Sequence, residues 1–182
     1  MQVIEIDADL TLRPMQEPHA TDLFKVVDQN RAYLRQWLPW LDQNTCTQHL
    51  QAYARASQQR NAGGEAFVQT LFWQDQLVGV AGFNFIDHSN HWGEIGYWLA
   101  EEHQGKGIVS RAVQALTDYG FAQLSIHRIS ISVATDNFRS RAVPERLGYQ
   151  FEGTLRQCEW LYDRYVDHAL YARLKTDPLS TS

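Results

Sequence analysis

The sequence has little cysteine, no long apolar run and no excess of basic residues, and each shortage argues against a class of protein. Its 182 residues include two cysteines, Cys46 and Cys158, whose wide separation disfavours structural zinc and fits a reducing compartment. No apolar stretch approaches the ~20 residues of a membrane span, and the start lacks the basic residues of a secretion signal. The net charge of −5 disfavours a nucleic-acid surface. We therefore expect a soluble, cytoplasmic protein that holds no metal.

The chain is long enough for one hydrophobic core, with 44% hydrophobic residues, but short for two. We expect a single domain over residues 1–176 and a C-terminal tail over 177–182. Alternating patterns predict strands, and apolar residues three or four apart predict helices. Along the chain the order is a strand (3–15), two helical regions (17–29 and 45–61), three strands (66–73, 77–85 and 92–99), a helix (109–124), a strand (127–135), a short helix (to about 147) and two strands (149–154 and 159–174). This order indicates an α/β or mixed α+β fold.

A glycine-containing loop lies between the third of those central strands and the following helix. Glycine lets the backbone turn with its N–H groups pointing outward, and the helix N-terminus adds unpaired N–H groups and a positive dipole end. The loop therefore predicts a phosphate site that binds mainly through main chain. Its candidate residues are Gln104, Gly105, Lys106, Gly107, Ile108, Val109 and Ser110. The alternative is a simple turn that ends at a helix N-cap.

Two common phosphate loops do not fit this stretch. A P-loop requires G-x-x-x-x-G-K-[ST], which the sequence lacks, and a dinucleotide loop requires a third glycine where Ser110 stands. Gln104-Gly-Lys-Gly-Ile-Val109 instead resembles the [Q/R]-x-x-G-x-[G/A] loop of the GNAT superfamily of acyl-CoA-dependent N-acetyltransferases. Val109 departs from the small residue usual at the last position.

Other segments resemble the same superfamily, in particular its RimL/RimJ branch of ribosomal-protein N-terminal acetyltransferases. They run from before the loop to the end of the chain: Glu94-Ile-Gly-Tyr-Trp-Leu99, Asp136-Asn137-x-x-Ser140, Arg146-Leu-Gly-Tyr149-x-x-Glu152-Gly153, and a closing stretch from Leu155 to Arg173. The resemblance implies the GNAT fold, in which a mostly antiparallel central sheet splays apart and helices flank it. By analogy it also suggests a homodimer.

The resemblance further implies that acetyl-CoA is the co-substrate and lies between strands 92–99 and 127–135. Splayed strands leave backbone groups that hydrogen-bond an extended ligand as an added strand would. We expect Tyr97, Trp98 and Leu99 to make these contacts, and an N–H of this segment to hold the thioester oxygen as it gains charge. Asn137 and Ser140 are expected to contact the cofactor as well.

Acetyl transfer to an amine requires a base for the ammonium proton and a proton donor for the departing thiolate. The resemblance assigns the base to Glu159, acting through a water, and Glu94 is the rival because some GNAT enzymes use a carboxylate on that strand. Many members place a donor tyrosine where this chain has Pro144. We therefore assign the donor or relay to Ser140, one helical turn earlier. Pro144 is expected to kink or shorten the helix by removing the hydrogen bond to the carbonyl of residue 140.

The amine acceptor and the residues that bind it have more than one interpretation. Tyr33, Trp37 and Trp40 cluster near a proline, and they either wall the acceptor cleft or anchor a short helix onto the core. The leading hypothesis is a protein N-terminal amine, plausibly that of a ribosomal protein. The alternatives are a small-molecule amine such as a polyamine or an aminoglycoside antibiotic, and a non-catalytic acyl-CoA-binding module.

Overall fold

The computed structural model describes residues 2–178, and these form one eight-stranded sheet with helices on both faces. The strands lie in the order β1-β2-β3-β4-β5-β6-β8-β7, and each neighbouring pair is antiparallel except β5 and β6. Their bounds are β1 Ile4–Glu5, β2 Leu10–Pro14, β3 Phe67–Trp73, β4 Gln76–Asp87, β5 Trp92–Leu99, β6 Arg128–Ala134, β7 Gln150–Leu161 and β8 Arg164–Leu174. The expected mixed, mostly antiparallel fold is confirmed.

Five α-helices connect the strands. They are α1 Ala20–Gln29, α2 Arg31–Leu34, α3 Thr47–Ala62, α4 Ile108–Gln123 and α5 Phe138–Arg146. Helices α1 and α3 pack on one face of the sheet and α4 on the other. None of the helices within residues 2–178 is both long and apolar enough to cross a membrane. The predicted tail lies largely outside these residues, at 179–182.

Three strand predictions differ from the structure. The single strand expected over 159–174 is divided by a turn at 162–163, so its first residues belong to β7 and the rest form β8. The single strand expected over 3–15 is two short strands, because the Asp7 carboxylate accepts hydrogen bonds from the N–H groups of Asp9 and Leu10 and folds the chain into a turn. The interruption expected at 155–158 lies inside β7. There the register with β8 shifts between Leu155 and Glu159, and Gln157 adopts a φ of 51°. This bulge breaks the alternation that a sequence pattern depends on.

Alternate residues of the central strands supply the two halves of the core. Phe67 and Ala81 face α4, whereas Val68 and Val80 face α1 and α3, as the period of two requires. On the α4 face, Gly120 lets the helix approach the sheet, since a Cβ there would lie 2.6 Å from Cζ of Phe83. On the other face, Leu50 and Ala54 of α3 are buried, whereas Tyr53 is 40% exposed.

A buried asparagine ties α3 to the sheet. The Asn61 side chain donates to the carbonyl of Val68 at 2.9 Å and accepts from the N–H of Val68 at 2.8 Å. Asn61 is 8% exposed and Val68 is 3% exposed. The Val68 carbonyl also accepts from the Met15 N–H at 3.1 Å, so the amide completes the pairing of Val68 where β2 ends and fixes where the helix ends relative to the strand.

The central strands separate where the sequence predicts the cofactor. Parallel pairing of β5 with β6 covers Trp92, Gly93 and Glu94 only. Past Glu94, β5 continues alongside β4, and β6 continues alongside β8. A wedge therefore opens between β5 and β6 toward the start of α4 and α5, as the splayed sheet predicts.

Candidate active site

The glycine loop forms an open seat at the N-terminus of α4. Gly105 and Gly107 have φ values of +74° and +70°, in the left-handed region that favours glycine. Within the described part of the chain, no heavy atom lies within 4 Å of a Cβ built on Gly105, and Gly107 is the N-cap of the helix. The seat borders a groove of about 990 Å³ that also touches β5 and α5. A site that leaves main-chain N–H groups accessible beside a helix N-terminus suits a phosphate.

Polar side chains from three elements surround this seat. Arg139 of α5 donates to the Gln104 side-chain oxygen, and the Gln104 amide donates to the Tyr33 hydroxyl. Arg146 donates to Ser110 Oγ at 2.8 Å. The two arginines were missed from the sequence because α5 is remote from the loop along the chain. Both bring positive charge to a site predicted to hold phosphate.

The predicted loop residues differ in what they present to the groove. Ile108 is 1% exposed and its side chain belongs to the core, so its contribution to the groove is main chain. Lys106 is exposed, and Val109 and Ser110 are partly buried. Tyr33, expected among the acceptor-side aromatics, lies against Gln104 and lines the loop groove instead. Its position favours a cofactor-side role.

A second cavity, of about 530 Å³, holds the two candidate bases. Glu94 of β5, Glu159 of β7 and His168 of β8 all line it. The Glu159 side chain is 27% exposed although most of β7 is exposed, so this glutamate points away from bulk solvent. Its carboxylate lies 3.3 Å from Nε2 of His168, whose Nδ1 lies 3.0 Å from Ser132 Oγ. Burial raises the pKa of Glu94, and the nearby His168 charge opposes that shift.

His168 was missed from the sequence because nothing in its local pattern marks it. The antiparallel ladder places it opposite Ala134 of β6 and opposite Leu155 of β7. A single histidine on a strand indicates a functional site only once the strand pairing shows that it lies beside a carboxylate. Within residues 2–178, no three His, Cys, Asp or Glu side chains cluster closely enough for metal binding.

The aromatic segment after α1 both packs on the core and lines the cavities. Leu34 and Leu41 are 3% and 0% exposed, as an anchoring role requires. Trp40 packs against Trp98 with ring centroids 6.2 Å apart. Trp40 also lines the cavity that holds Glu94 and Glu159, called the acidic cavity below, and Trp37 lines both this cavity and the loop groove. The segment is thus an anchor and a cavity wall together, and the two hypotheses for it are compatible.

The β7–β8 turn holds this segment in place. The Tyr162 hydroxyl donates to the Leu38 carbonyl at 2.6 Å and accepts from the Leu41 N–H at 3.1 Å. Arg35 stacks over the Tyr162 ring, 3.8 Å from its centroid. A strand hairpin that carries Glu159 is therefore clamped directly to the segment that carries Trp37 and Trp40.

Ser140 lies where the two cavities meet. Asn137 is the N-cap of α5, and its side-chain oxygen accepts from the Ser140 N–H at 3.2 Å. The Ser140 hydroxyl donates to the Tyr97 hydroxyl at 3.2 Å, which in turn donates to the Ser140 carbonyl at 2.9 Å. The expectation that Pro144 shortens this helix is not met, since α5 continues to Arg146.

The lining residues show that the groove and the cavity are joined. Six residues border both: Trp37, Leu38, Tyr97, Trp98, Asn137 and Ser140. A long ligand seated on the glycine loop and running along β5 would therefore end beside Glu159 and Glu94. This geometry can bring a phosphate-bearing acyl donor in the groove and an amine in the cavity together where the two join.

Comparison with known proteins agrees with this architecture. The acetyltransferase (GNAT) domain family matches residues 9–150, and the chain belongs to this family of acetyltransferases. The ribosomal-protein-serine acetyltransferase of Escherichia coli (strain K12) is 35% identical over 95% of this chain and 97% of its own length.

Solved structures extend the likeness to the whole fold. RimL, a ribosomal L7/L12 alpha-N-protein acetyltransferase solved with coenzyme A, superposes with a TM-score of 0.92 at 34% identity, over 95% of this chain and 98% of its own. The microcin C7 self immunity acetyltransferase MccE, solved with acetyl-CoA and AMP, gives a TM-score of 0.90 at 29% identity, over 94% and 95% of the two chains.

Proposed function

We propose that this protein transfers the acetyl group of acetyl-CoA to the N-terminal α-amino group of a protein, with a ribosomal protein as the leading candidate, by direct attack in a ternary complex. The observation that carries the proposal is the shared wall of the two cavities, formed around Ser140, Tyr97 and Trp98. Because the groove and the cavity join at these residues, acetyl-CoA and the amine can meet directly, without a covalent intermediate on the protein. Acetyl-CoA supplies the activated thioester.

The residues around the glycine loop fit the phosphates of acetyl-CoA. The position of a Gly105 Cβ is open among the described residues, and Gly107 begins a 16-residue helix whose N–H groups face the seat. Arg139 and Arg146 add positive charge, which suits bidentate phosphate contacts. Beyond Glu94, the edge of β5 that faces the wedge suits the pantetheine arm, with Tyr97, Trp98 and Leu99 as the contacting segment.

Glu159 is our choice for the general base. An α-amino group with a pKa near ~8 is mostly protonated at neutral pH and must lose a proton before it attacks. Glu159 sits at the cavity side of β7 and contacts His168, which connects onward to Ser132. Glu94 stays the rival, because it lines the same cavity and its pKa is raised by burial.

Ser140 is our choice for the proton donor or relay to the departing thiolate. It lines both the groove and the cavity, and its hydroxyl is hydrogen-bonded to Tyr97. An N–H of the β5 segment is proposed to stabilise the oxyanion. Asn137 supports this corner by capping the helix that carries the serine.

The acceptor class follows from relatives. The E. coli relative and RimL are named for acetylation of ribosomal proteins, which favours a protein N-terminus. MccE, a microcin self immunity enzyme solved with AMP beside acetyl-CoA, favours the second candidate, a small-molecule amine. We also propose a cytoplasmic location, a single domain over 1–176 and, by analogy alone, a homodimer.

A thiol-release assay tests the proposal. The protein is incubated with acetyl-CoA and one acceptor at a time: a serine-starting peptide, the same peptide with a blocked N-terminus, a polyamine and an aminoglycoside. Release with the unblocked peptide but not the blocked one supports the proposal. Release with only a small amine transfers the proposal to the second candidate. Tight CoA binding without release with any acceptor contradicts both and favours a non-catalytic acyl-CoA-binding module.

A further inference from the structure

Pro144 removes one hydrogen bond from the helix that carries Ser140. In an α-helix the N–H of residue 144 would donate to the carbonyl of residue 140, and proline has no N–H to give. Helix α5 nevertheless runs from Phe138 to Arg146 with Pro144 buried inside it. Some other donor is needed if the Ser140 carbonyl is to keep a partner.

That donor comes from the neighbouring strand. The Tyr97 hydroxyl, on β5, donates to the Ser140 carbonyl at 2.9 Å and accepts from the Ser140 hydroxyl at 3.2 Å. One phenol oxygen therefore contacts both the main chain and the side chain of the same serine. These bonds fix the position of the helical turn and the direction of the Ser140 Oγ–H bond.

We infer that Tyr97 is a positioning residue for Ser140, and that it replaces the helix hydrogen bond that Pro144 deletes. The inference rests on the proposed function, in which Ser140 serves the thiolate. It goes beyond the main-chain contact proposed for Tyr97, because it assigns a role to the phenol hydroxyl and makes that role depend on a proline at 144.

The hydrogen bonds of the phenol favour a positioning role over that of the proton source. Its single proton is directed at the Ser140 carbonyl, so the oxygen is left to accept from the serine. Burial raises the pKa of Tyr97 well above its usual range, and the Ser140 hydrogen bond opposes that shift. The phenol is therefore protonated near neutral pH, and it holds the serine without itself ionising.

Another tyrosine supplies a matched control. The Tyr149 hydroxyl, 2.6 Å from Thr117 Oγ1, also forms a buried hydrogen bond beside a helix, and burial raises its pKa as well. It lines neither cavity. Tyr149→Phe therefore removes a comparable hydroxyl without touching Ser140.

The first experiment compares turnover and stability of the two variants, using whichever amine supports wild-type turnover. Tyr97→Phe should lower kcat about tenfold, equivalent to ~1.4 kcal/mol, because both hydrogen bonds of the hydroxyl to Ser140 are lost. The KM for acetyl-CoA should stay within about twofold because ring and main chain remain. Tyr149→Phe should lower the melting temperature and leave kcat unchanged. Equal kcat for Tyr97→Phe and wild type would overturn the inference.

Two double variants separate positioning from a general structural effect. In a Pro144→Ala background the restored N–H should satisfy the Ser140 carbonyl, so Tyr97→Phe should cost clearly less there than with proline present. In a Ser140→Ala background Tyr97→Phe should cost nothing further. Losses that simply multiply in both backgrounds would overturn the inference, even if Tyr97→Phe alone is unstable.

The same variants keep the two proposals apart. If Ser140→Ala keeps wild-type kcat, the donor role of Ser140 is wrong and the role of Tyr97 fails with it. If Ser140→Ala is slow while Tyr97→Phe is not, only the Tyr97 inference fails. Absence of turnover by the wild type with every amine would overturn the proposed function and this inference together.

Discussion

Replacing Gly105 by alanine tests whether the glycine loop holds the cofactor's phosphates. Its φ of +74° is costly for any residue with a Cβ, by about 1–2 kcal/mol. No described heavy atom lies within 4 Å of the added Cβ, so a clash inside the free protein adds nothing. If Gly105→Ala weakens ligand binding, the cause is therefore either a clash between the new Cβ and the ligand or displacement of the main-chain N–H that binds it.

Gly64 provides the control, because its φ of +76° imposes the same backbone strain in a turn after α3. Its Cβ would lie 3.2 Å from Nε2 of His88, an exposed side chain that would have to shift and lengthen its 2.7 Å hydrogen bond to the Gly64 carbonyl. Both Gly→Ala variants should lose about 1–2 kcal/mol of unfolding free energy in chemical denaturation.

The two variants should differ in affinity for CoA, measured by calorimetry. Gly105→Ala should weaken binding about tenfold or more, equivalent to ~1.4 kcal/mol, whereas Gly64→Ala should leave Kd within about twofold. Equal Kd values for the two variants would refute the assignment of the loop as the phosphate site.

Three further predictions follow from the acidic cavity and the core. Glu159→Gln should lower turnover by roughly 10²-fold, the usual size of a general-base loss, with CoA affinity unchanged; unchanged turnover would transfer the role to Glu94. Because burial raises the pKa of Glu94, its charge costs stability at neutral pH. Glu94→Gln should therefore raise the melting temperature at pH 7, and the gain should vanish below the ordinary glutamate pKa of ~4.3. Asn61→Ala should cost about 1–3 kcal/mol in denaturant unfolding, since it leaves the buried Val68 N–H without its partner while the Val68 carbonyl keeps the Met15 N–H; a loss below ~0.5 kcal/mol would contradict that anchor.

Features that depend on local pattern were predictable from the sequence. The order of strands and helices follows from residue spacing, and the loop at 104–110 follows from its glycines between a strand and a helix. The wedge between β5 and β6 followed from family resemblance, and the short parallel pairing at Trp92–Glu94 confirms it.

Features that depend on strands meeting across the sheet were not predictable. The contact of His168 with Glu159 arises from the β7–β8 ladder with its bulge, and an unaligned sequence gives no register. Tyr33 was grouped with the nearby tryptophans because they are close in sequence, yet its position on the short helix α2 directs it to Gln104. The effect of Pro144 on its helix depended on a donor from β5, which only the folded chain reveals.

The most direct test of the central claim uses one peptide that carries both kinds of amine. A peptide with an N-terminal serine and an internal lysine is incubated with acetyl-CoA and the protein, and mass spectrometry locates the acetyl group. The proposed function predicts that the acetyl group is found on the α-amino group, and that Glu159→Gln slows this acetylation about 10²-fold. Acetylation confined to lysine, or none at all while the protein binds CoA, would contradict it.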